Sequence, residues 1–422
     1  MKIVVFGLGY VGATTSACLL KDGHSVVGID VSPDKAAKIA AGQSPVSEPG
    51  LAELLSAGRA DGRLGAATEV GSHLDDADIA MVCVGTPSMA GGGLDLTQVC
   101  AVSEELGAAL KTRDRDRDPL IVAYRSTMYP GATEDVVFPR LIAGSGEQPG
   151  IRYEAALNPE FLRESTAVAD YFAPSRIVIG EREPGISKRM KGVYDSIDAP
   201  YFELPYRTAE MVKLSDNSFH ALKVTFANEI GRLALEMDVD PAALTDVFLA
   251  DTKLNISPYY LRPGGAFGGS CLPKDVRGIT SLAGSRGVDL PVMSNVISSN
   301  EAHKKYLADR VMEGLEPGAS VLLIGLTFKT DTDDLRESPL IDLAETLMGK
   351  GYDLKIYDPD LKERELVGSN LAFVTERLPH LSRLLIDNVS DAGEVSVVVI
   401  GKNTDIDRDA FGDAAVLDID RL

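Results

Sequence analysis

Positive charge is what this chain is short of. Against 63 Asp and Glu stand 42 Lys and Arg, a formal net charge of −21 over 422 residues. That balance argues against a nucleic-acid partner, which needs a basic face. Cysteine is scarce as well: Cys18, Cys83, Cys100 and Cys271 are the only four. They are too widely spaced for a metal pattern or a disulfide framework, so no metal is expected and a reducing cytoplasm fits best. Long hydrophobic runs are also missing. The apolar stretch after Lys2 superficially resembles a secretory leader, but Gly7, Gly9 and Gly12 interrupt it. No other stretch approaches a membrane span, so no membrane partner is expected. What remains, 45% hydrophobic and 25% charged, is the composition of a soluble globular protein. Its length calls for two or three domains rather than one core.

The first of these is legible from Lys2 onward. Lys2 to Phe6 is a β-branched apolar run that reads as a buried parallel strand. Gly7-Leu8-Gly9-Tyr10-Val11-Gly12 follows, then a helix over Ala13 to Lys21, then a strand over Ser25 to Ile29 with Asp30 at its end. Strand, glycine turn, helix, strand and terminal acid together form a dinucleotide-binding pattern. The glycines let a pyrophosphate reach the helix N-terminus. Asp30 would hydrogen-bond the adenosine ribose and repel a 2′-phosphate, which favours NAD over NADP. Strands over Asp78 to Val84 and Leu120 to Ala123 run into Thr86 and Thr127, candidate cofactor contacts because the carboxyl ends of such strands line the ligand crevice. Lys111 to Asp118 (KTRDRDRD) alternates in sign and reads as a solvated loop without chemistry.

After a strand at Ala155 to Leu157, the stretch Asn158-Pro-Glu-Phe-Leu-Arg-Glu164 reads as helical, with Glu160 and Glu164 on one face at i and i+4. Strands at Arg176 to Gly180 and Tyr201 to Leu204 complete this sheet. A long helix over Thr208 to Met237 has apolar residues around most of its circumference, which points to burial between domains or subunits. Lys213, Asn217 and His220 form one stripe on it. They either satisfy one another or face a polar ligand. A second helix is expected over Pro241 to Asp251. Beyond Glu316-Pro-Gly318 the α/β pattern restarts: a strand over Ser320 to Ile324, a turn over Gly325 to Lys329, a helix over Leu340 to Gly349, a strand over Leu354 to Tyr357 ending at Asp358, and a further strand over Glu394 to Ile400. This half lacks a full GxGxxG and should hold a nucleotide differently. Lys329 and Arg336 follow a strand end, where ligands bind.

Chemistry concentrates at Phe267-Gly-Gly-Ser-Cys-Leu-Pro-Lys-Asp275. Gly264, Gly265, Gly268 and Gly269 permit close backbone approach and positive φ. A cysteine by itself is most often a small buried hydrophobe. Here the glycines, with Lys274 and Asp275 beside the thiol, favour a nucleophile: the lysine favours thiolate and the aspartate is placed to take or orient a proton.

These motifs together resemble the nucleotide-sugar 6-dehydrogenases, the UDP-glucose/GDP-mannose dehydrogenase family, nearly from end to end. The resemblance implies an α/β protein with two Rossmann-like parallel-sheet domains joined by a central long-helix dimerisation region. It divides the chain into an NAD-binding domain at 1–205, a helical domain with the dimer interface and cysteine loop at 206–300, and a nucleotide-sugar-binding α/β domain at 301–422. It implies a homodimer and four-electron oxidation of a sugar C6 alcohol to a carboxylate with NAD. In that scheme Cys271 carries a thiohemiacetal and then a thioester, which water hydrolyses. Lys213 and Asn217 steady the oxyanion, Asp275 acts as base or water-orienting group, and Glu160 and Thr127 assist water and proton movement. Cofactor contacts would fall to Gly7, Gly9, Tyr10, Val11, Gly12, Asp30, Lys35, Thr86, Thr127, Lys274 and Arg336. The substrate would meet Glu164, Lys213, Asn217, His220, Asn228, Tyr259, Tyr260, Arg262, Gly268 and Lys329. Arg125-Ser-Thr127, His220, Lys223 to Asn228 and Tyr259 to Gly264 look more like the GDP-mannose branch, so GDP-mannose is the expected substrate. UDP-glucose is the alternative, because Gly265 stands where that branch has phenylalanine. A one-step hydroxyacid dehydrogenase needs no nucleophilic cysteine. A catalytically silent sensor would have lost Cys271, Lys213 or Asp275.

Overall fold

The computed structural model describes the whole chain except residues 184, 186–187, 259, 262, 270, 328–334, 336, 362–379, 403–410, 413 and 420–422. It divides into two compact units, Met1–Ala221 and Leu222–Leu422.

The first unit is built on an eight-stranded sheet of β1 (Lys2–Phe6), β2 (Ser25–Ile29), β3 (Leu64–Ala67), β4 (Ile79–Val82), β5 (Leu120–Tyr124), β6 (Tyr153–Leu157), β7 (Ile177–Glu181) and β8 (Tyr201–Pro205). Their spatial order is β3-β2-β1-β4-β5-β6-β7-β8. The first six strands are parallel, in the order of dinucleotide-binding folds. Only the β6–β7 junction runs antiparallel. Alternation along β1 splits the core in two. Ile3 and Val5 pack with Leu8, Ala13, Ala17 and Leu20, whereas Val4 and Phe6 pack with Val99, Leu106, Leu110 and Leu141. Each such fully buried large apolar side chain contributes about 1.5–3 kcal/mol. With both faces covered, the strands read as continuous apolar runs.

Three expectations need correction. The helix after the glycine turn begins at Tyr10, not Ala13. The 158–163 stretch has no regular structure and 164–166 form a turn, so Glu160 and Glu164 do not share a helix face. Pro159 lacks an N–H, and the Glu160 carboxylate accepts from the Leu162 N–H at 2.6 Å, a local bond that competes with helix formation. The KTRDRDRD loop is not simply solvated either. Arg113 is 3% exposed and donates to the Ala77 carbonyl at 2.9 Å, to that of Asp118 at 3.3 Å and to that of Leu74. Burial lowers its pKa, the direction expected for a cation withdrawn from water.

The long helix runs over Tyr206–Glu236. At its start Glu210, 1% exposed, accepts from the Gly131 N–H (2.5 Å), the Thr133 N–H (2.8 Å) and the Thr133 hydroxyl (2.7 Å). This moors the helix to the segment leaving β5 and so places Lys213, one turn later.

The second unit carries the helices Pro241–Ala250, Leu272–Ser285 and Pro291–Met312, each with proline in its first two positions, where the missing N–H costs nothing. A four-stranded parallel sheet follows, of β9 (Ser320–Ile324), β10 (Asp353–Tyr357), β11 (Val397–Ile400) and β12 (Ala415–Asp418), in the order β10-β9-β11-β12. The helix Pro339–Gly349 covers it through Leu340, Ile341, Leu343, Ala344 and Leu347.

Candidate functional site

The glycine turn of the first unit has the geometry of an anion cradle. Gly7 sits at φ +88°, and its N–H donates to the Ile29 carbonyl at 2.8 Å. A Cβ on Gly12 would stand 1.8 Å from the Gly7 carbonyl oxygen, so no side chain fits there. Gly9 has open space around it and caps the helix Tyr10–Lys21 without a side-chain bond, leaving the first N–H groups of that helix to an external acceptor. Asp30, 8% exposed, accepts from the Leu8 N–H at 2.7 Å and the Ser32 N–H at 2.8 Å, with Lys35 Nζ at 3.8 Å. Thr86 donates its hydroxyl to the Thr127 carbonyl at 2.8 Å, joining the segments that leave β4 and β5. Gly7, Gly9, Tyr10, Val11, Gly12, Asp30, Lys35, Thr86 and Thr127 thus all lie just beyond the carboxyl ends of β1, β2, β4 and β5 or at the helix starts that follow. The empty space at Gly9, the uncapped helix and the acid at the end of β2 suit a dinucleotide.

A cleft of about 480 Å³ opens in the same unit, with Arg125, Glu160, Arg176, Lys213, Asn217 and His220 in its wall. Lys213 Nζ pairs with Glu160 Oε1 at 3.0 Å, with side chains 11% and 13% exposed. It also stands 5.6 Å from the centre of the Phe161 ring, and the Arg176 guanidinium lies 4.2 Å from the same ring. The stripe expected on the long helix therefore faces a polar cleft, at its Lys213 end through an ion pair. Asp216, one position before Asn217, belongs to the same face and pairs with Arg176 at 2.7 Å. Arg125 is 5% exposed and donates to the Asn158 Oδ1 at 2.6 Å and the Tyr194 hydroxyl at 2.7 Å. Reading the sequence missed Asp216 and Tyr194, and took Arg125 as a marker of the branch and not as a site residue. Their partners lie 33 to 69 residues away or on another element, and no local pattern carries that signal.

The cysteine loop belongs to the second unit. Asn300 of the helix Pro291–Met312 holds Phe267 by both backbone groups: the Phe267 N–H donates to Oδ1 at 3.0 Å, and Nδ2 donates to the Phe267 carbonyl at 2.8 Å. His303 Nε2 lies 2.7 Å from the Gly264 carbonyl. A Cβ on Gly268 would stand 2.2 Å from the Glu337 carbonyl oxygen, so this position demands glycine. Gly269 takes φ +81°. Cys271 is the N-cap residue of the helix Leu272–Ser285 and is exposed. It stands in the positive field of a helix N-terminus, which favours negative charge. Cys18 and Cys83 are buried instead, and burial pushes their thiols up to about 12. Asp275 donates its N–H to the Cys271 carbonyl at 2.9 Å and pairs with Lys274 at 3.3 Å, both side chains exposed. Tyr260, at φ +60°, and Asn228 are exposed in this unit, and Glu164 is exposed in the first. Tyr259, Arg262, Lys329 and Arg336 lie outside the described residues, as does Ser270. Among the described residues no cluster of His, Cys, Asp or Glu suits a metal ion, and no helix is long and apolar enough to cross a membrane.

Fold and glycine turn together define an α/β enzyme of the dinucleotide-dependent dehydrogenase class. Three models of one family match the chain: the NAD-binding domain of the UDP-glucose/GDP-mannose dehydrogenase family over residues 1–198, its central domain over 207–302 and its UDP-binding domain over 322–398. A GDP-mannose 6-dehydrogenase of Pseudomonas syringae pv. tomato is 44% identical over 405 residues, covering 96% of this chain and 91% of that protein. A UDP-glucose 6-dehydrogenase of Haloferax volcanii is 32% identical, covering 93% and 88%. Among solved structures, a ternary complex of GDP-mannose dehydrogenase from Pseudomonas aeruginosa superposes with a TM-score of 0.94 at 41% identity, covering 99% of this chain and 96% of that one. The chain belongs to the UDP-glucose/GDP-mannose dehydrogenase family, and NAD is its cofactor.

Proposed function

We propose that this enzyme oxidises the C6 hydroxyl of GDP-mannose to a carboxylate, giving GDP-mannuronate. The observation that carries this reading is the gap between 44% identity to GDP-mannose 6-dehydrogenases and 32% to a UDP-glucose enzyme, each over more than nine-tenths of this chain.

NAD, when bound, takes up the hydride released at each of the two oxidations. The Gly7–Gly12 turn would hold its pyrophosphate, and Asp30 its adenosine ribose, with Lys35, Thr86, Thr127, Lys274 and Arg336 as further contacts. The chain's own groups do the rest. Cys271 adds through Sγ to the C6 aldehyde, giving a thiohemiacetal. Loss of hydride from that carbon and of a proton from its hydroxyl leaves a thioester, and water displaces the thiol to release the acid. Lys213 and Asn217 steady the oxyanion, a use that suits a cation and an amide held on a helix. Asp275 orients or deprotonates water, with Glu160 and Thr127 moving protons. Glu164, His220, Asn228, Tyr259, Tyr260, Arg262, Gly268 and Lys329 are assigned to the nucleotide sugar.

The test follows NADH at 340 nm with a panel of nucleotide sugars. Two NADH per GDP-mannose are expected, with Cys271→Ser stopping turnover to acid while retaining NAD⁺ binding. One NADH per sugar, with an aldehyde as end product, overturns the thioester route. A higher kcat/KM for UDP-glucose than for GDP-mannose overturns the substrate and leaves the route standing.

We further assign the enzyme to the cytoplasm, whose reducing conditions keep a working thiol intact, and propose that it is a homodimer formed through the long helix. Leu222, Val224 and Leu235 on that helix are 48%, 61% and 66% exposed, and Val247 just beyond it is 75% exposed. A second copy would cover this surface. Sedimentation equilibrium should return twice the 44.9 kDa chain mass, and a monomer at micromolar concentration would exclude the assignment.

A further inference from the structure

Glu48 has no role in the chemistry above, yet it is among the most enclosed carboxylates of the first unit, 8% exposed in an irregular stretch between two helices. Two segments distant in sequence converge on it. The Tyr10 hydroxyl donates to Oε2. The Ser165 N–H donates to the same oxygen at 2.9 Å and also reaches the Tyr10 hydroxyl at 3.2 Å. The Val168 N–H approaches Oε1 at 3.4 Å. Tyr10 is the first residue of the helix after the glycine turn. Ser165 closes the 158–166 segment that bears Glu160 and Glu164.

Two features make this more than a surface staple. Ser165 holds φ +70°, a left-handed conformation that costs a non-glycine residue about 1 kcal/mol or more and persists only where the surroundings impose it. In that conformation its N–H meets the carboxylate and the phenol together. In addition, burial first and the Glu48 hydrogen bond second push the Tyr10 phenol up to about 12, so it stays protonated and donating across the working pH range. Because phenol and amide share one carboxylate oxygen, a displacement of either is felt by the other. A ligand on the backbone N–H groups of the first helical turn fixes the backbone that carries the Tyr10 ring.

We propose that Glu48 and Tyr10 form a positioning relay that couples occupancy of the glycine turn to the 158–166 segment, so that cofactor and nucleotide sugar bind with positive cooperativity. The proposal rests on the reading that NAD occupies the Gly7–Gly12 turn. Cooperativity of this kind is reciprocal and typically about five- to 150-fold.

The experiment is calorimetry on the full chain, with GDP-mannose titrated alone and in saturating NADH, a pair that does not turn over. The wild-type protein should bind GDP-mannose about tenfold more tightly with NADH present. Tyr10→Phe and Glu48→Gln should bring that ratio to about one, with Glu48→Gln keeping each ligand's separate affinity within about threefold. A purely structural staple would lower the melting temperature of both variants and leave the ratio unchanged, and that outcome overturns the relay. A wild-type ratio of one overturns it too. Gly9→Thr, which would fill the space at the glycine turn, separates the two readings. If it leaves NADH affinity untouched, the cofactor lies elsewhere. If it weakens NADH while the Glu48 and Tyr10 variants keep the ratio, the relay alone is wrong.

Discussion

Two glycine turns in this chain are built alike and put to different uses. In the first unit β1 ends in Gly7-Leu8-Gly9. In the second β9 ends in Gly325-Leu326-Thr327. Both leading glycines take positive φ, +88° and +94°. Both donate an N–H at 2.8 Å to the last carbonyl of the neighbouring strand, Ile29 in one and Tyr357 in the other. Both leucine N–H groups donate at 2.7 Å to the acid that follows that strand, Asp30 and Asp358. The difference lies in what else reaches the acid. The cation near Asp30 is Lys35, held loosely at 3.8 Å and 43% exposed. Asp358 also accepts from the Thr327 N–H at 3.0 Å, the Thr327 hydroxyl at 3.2 Å and Lys402 Nζ at 2.7 Å. That lysine is 4% exposed and bonds Thr327 Oγ1 at 2.6 Å and Asp360 at 2.9 Å besides. Its stem also fills the flank of the turn: a Cβ on Gly325 would meet Lys402 Cγ at 2.6 Å. One framework is therefore open to a ribose and a pyrophosphate. In the other a buried lysine is bound to the equivalent acid, so the second turn does not offer the same opening.

The most damaging way to break this contrast is to remove Lys402. Lys402→Met leaves Asp358, fully buried at its side chain, without its cation, and breaking a buried pair costs about 3–5 kcal/mol. Lys35→Met, at the exposed counterpart, should cost under about 1 kcal/mol. Urea unfolding of the two variants measures both. Equal losses would mean that Lys402 is no more structural than Lys35.

Little of this contrast is legible in the sequence. The strands β1, β2 and β9 announce themselves as β-branched runs because they are covered on both faces. β3 (LGAA) and β12 are four residues each, too short to show periodicity. The second half is expected to hold a nucleotide differently because it lacks the equivalents of Gly9 and Gly12. The physical reason for the difference is Lys402, 44 residues beyond Asp358, and nothing local marks it. The same limit explains the 158–164 stretch, where a local carboxylate bond and the distant Lys213 outweigh the i, i+4 pattern. It also explains Arg113, whose burial depends on carbonyls up to 39 residues away. Local pattern locates the frameworks. The long-range polar partners decide what each framework does.

A second way to test the contrast writes the second turn into the first. A Cβ on Gly9 would meet nothing within 4 Å, so Gly9→Thr should fold with a stability change of about 1 kcal/mol or less, within the range of substitutions that meet no contact. The side chain would nevertheless occupy the space left for a pyrophosphate. NAD⁺ affinity should fall at least about tenfold, some 1.4 kcal/mol. Unchanged affinity, measured by NADH fluorescence, would mean that the open space at Gly9 is not the cradle.

The smallest expected effect concerns Asp30 itself, because it changes selectivity and not binding as such. The carboxylate is 8% exposed and already accepts two backbone N–H groups, at 2.7 and 2.8 Å, so its position is set before any cofactor arrives. A ribose 2′-hydroxyl can donate to it. A 2′-phosphate brings like charge against an acid whose neighbouring cation, Lys35, is 3.8 Å away, and such a clash is a repulsive element of specificity. Wild-type enzyme should therefore use NADP⁺ far less well than NAD⁺. Asp30→Asn keeps the size and one carbonyl acceptor while removing the charge, and should narrow the kcat/KM ratio by about tenfold, mostly by improving NADP⁺. If the ratio is near one in the wild type, or does not move in the variant, Asp30 serves only to hold Leu8 and Ser32. It would then be as structural as Asp358, and the contrast between the two turns would reduce to Gly9 and Lys402.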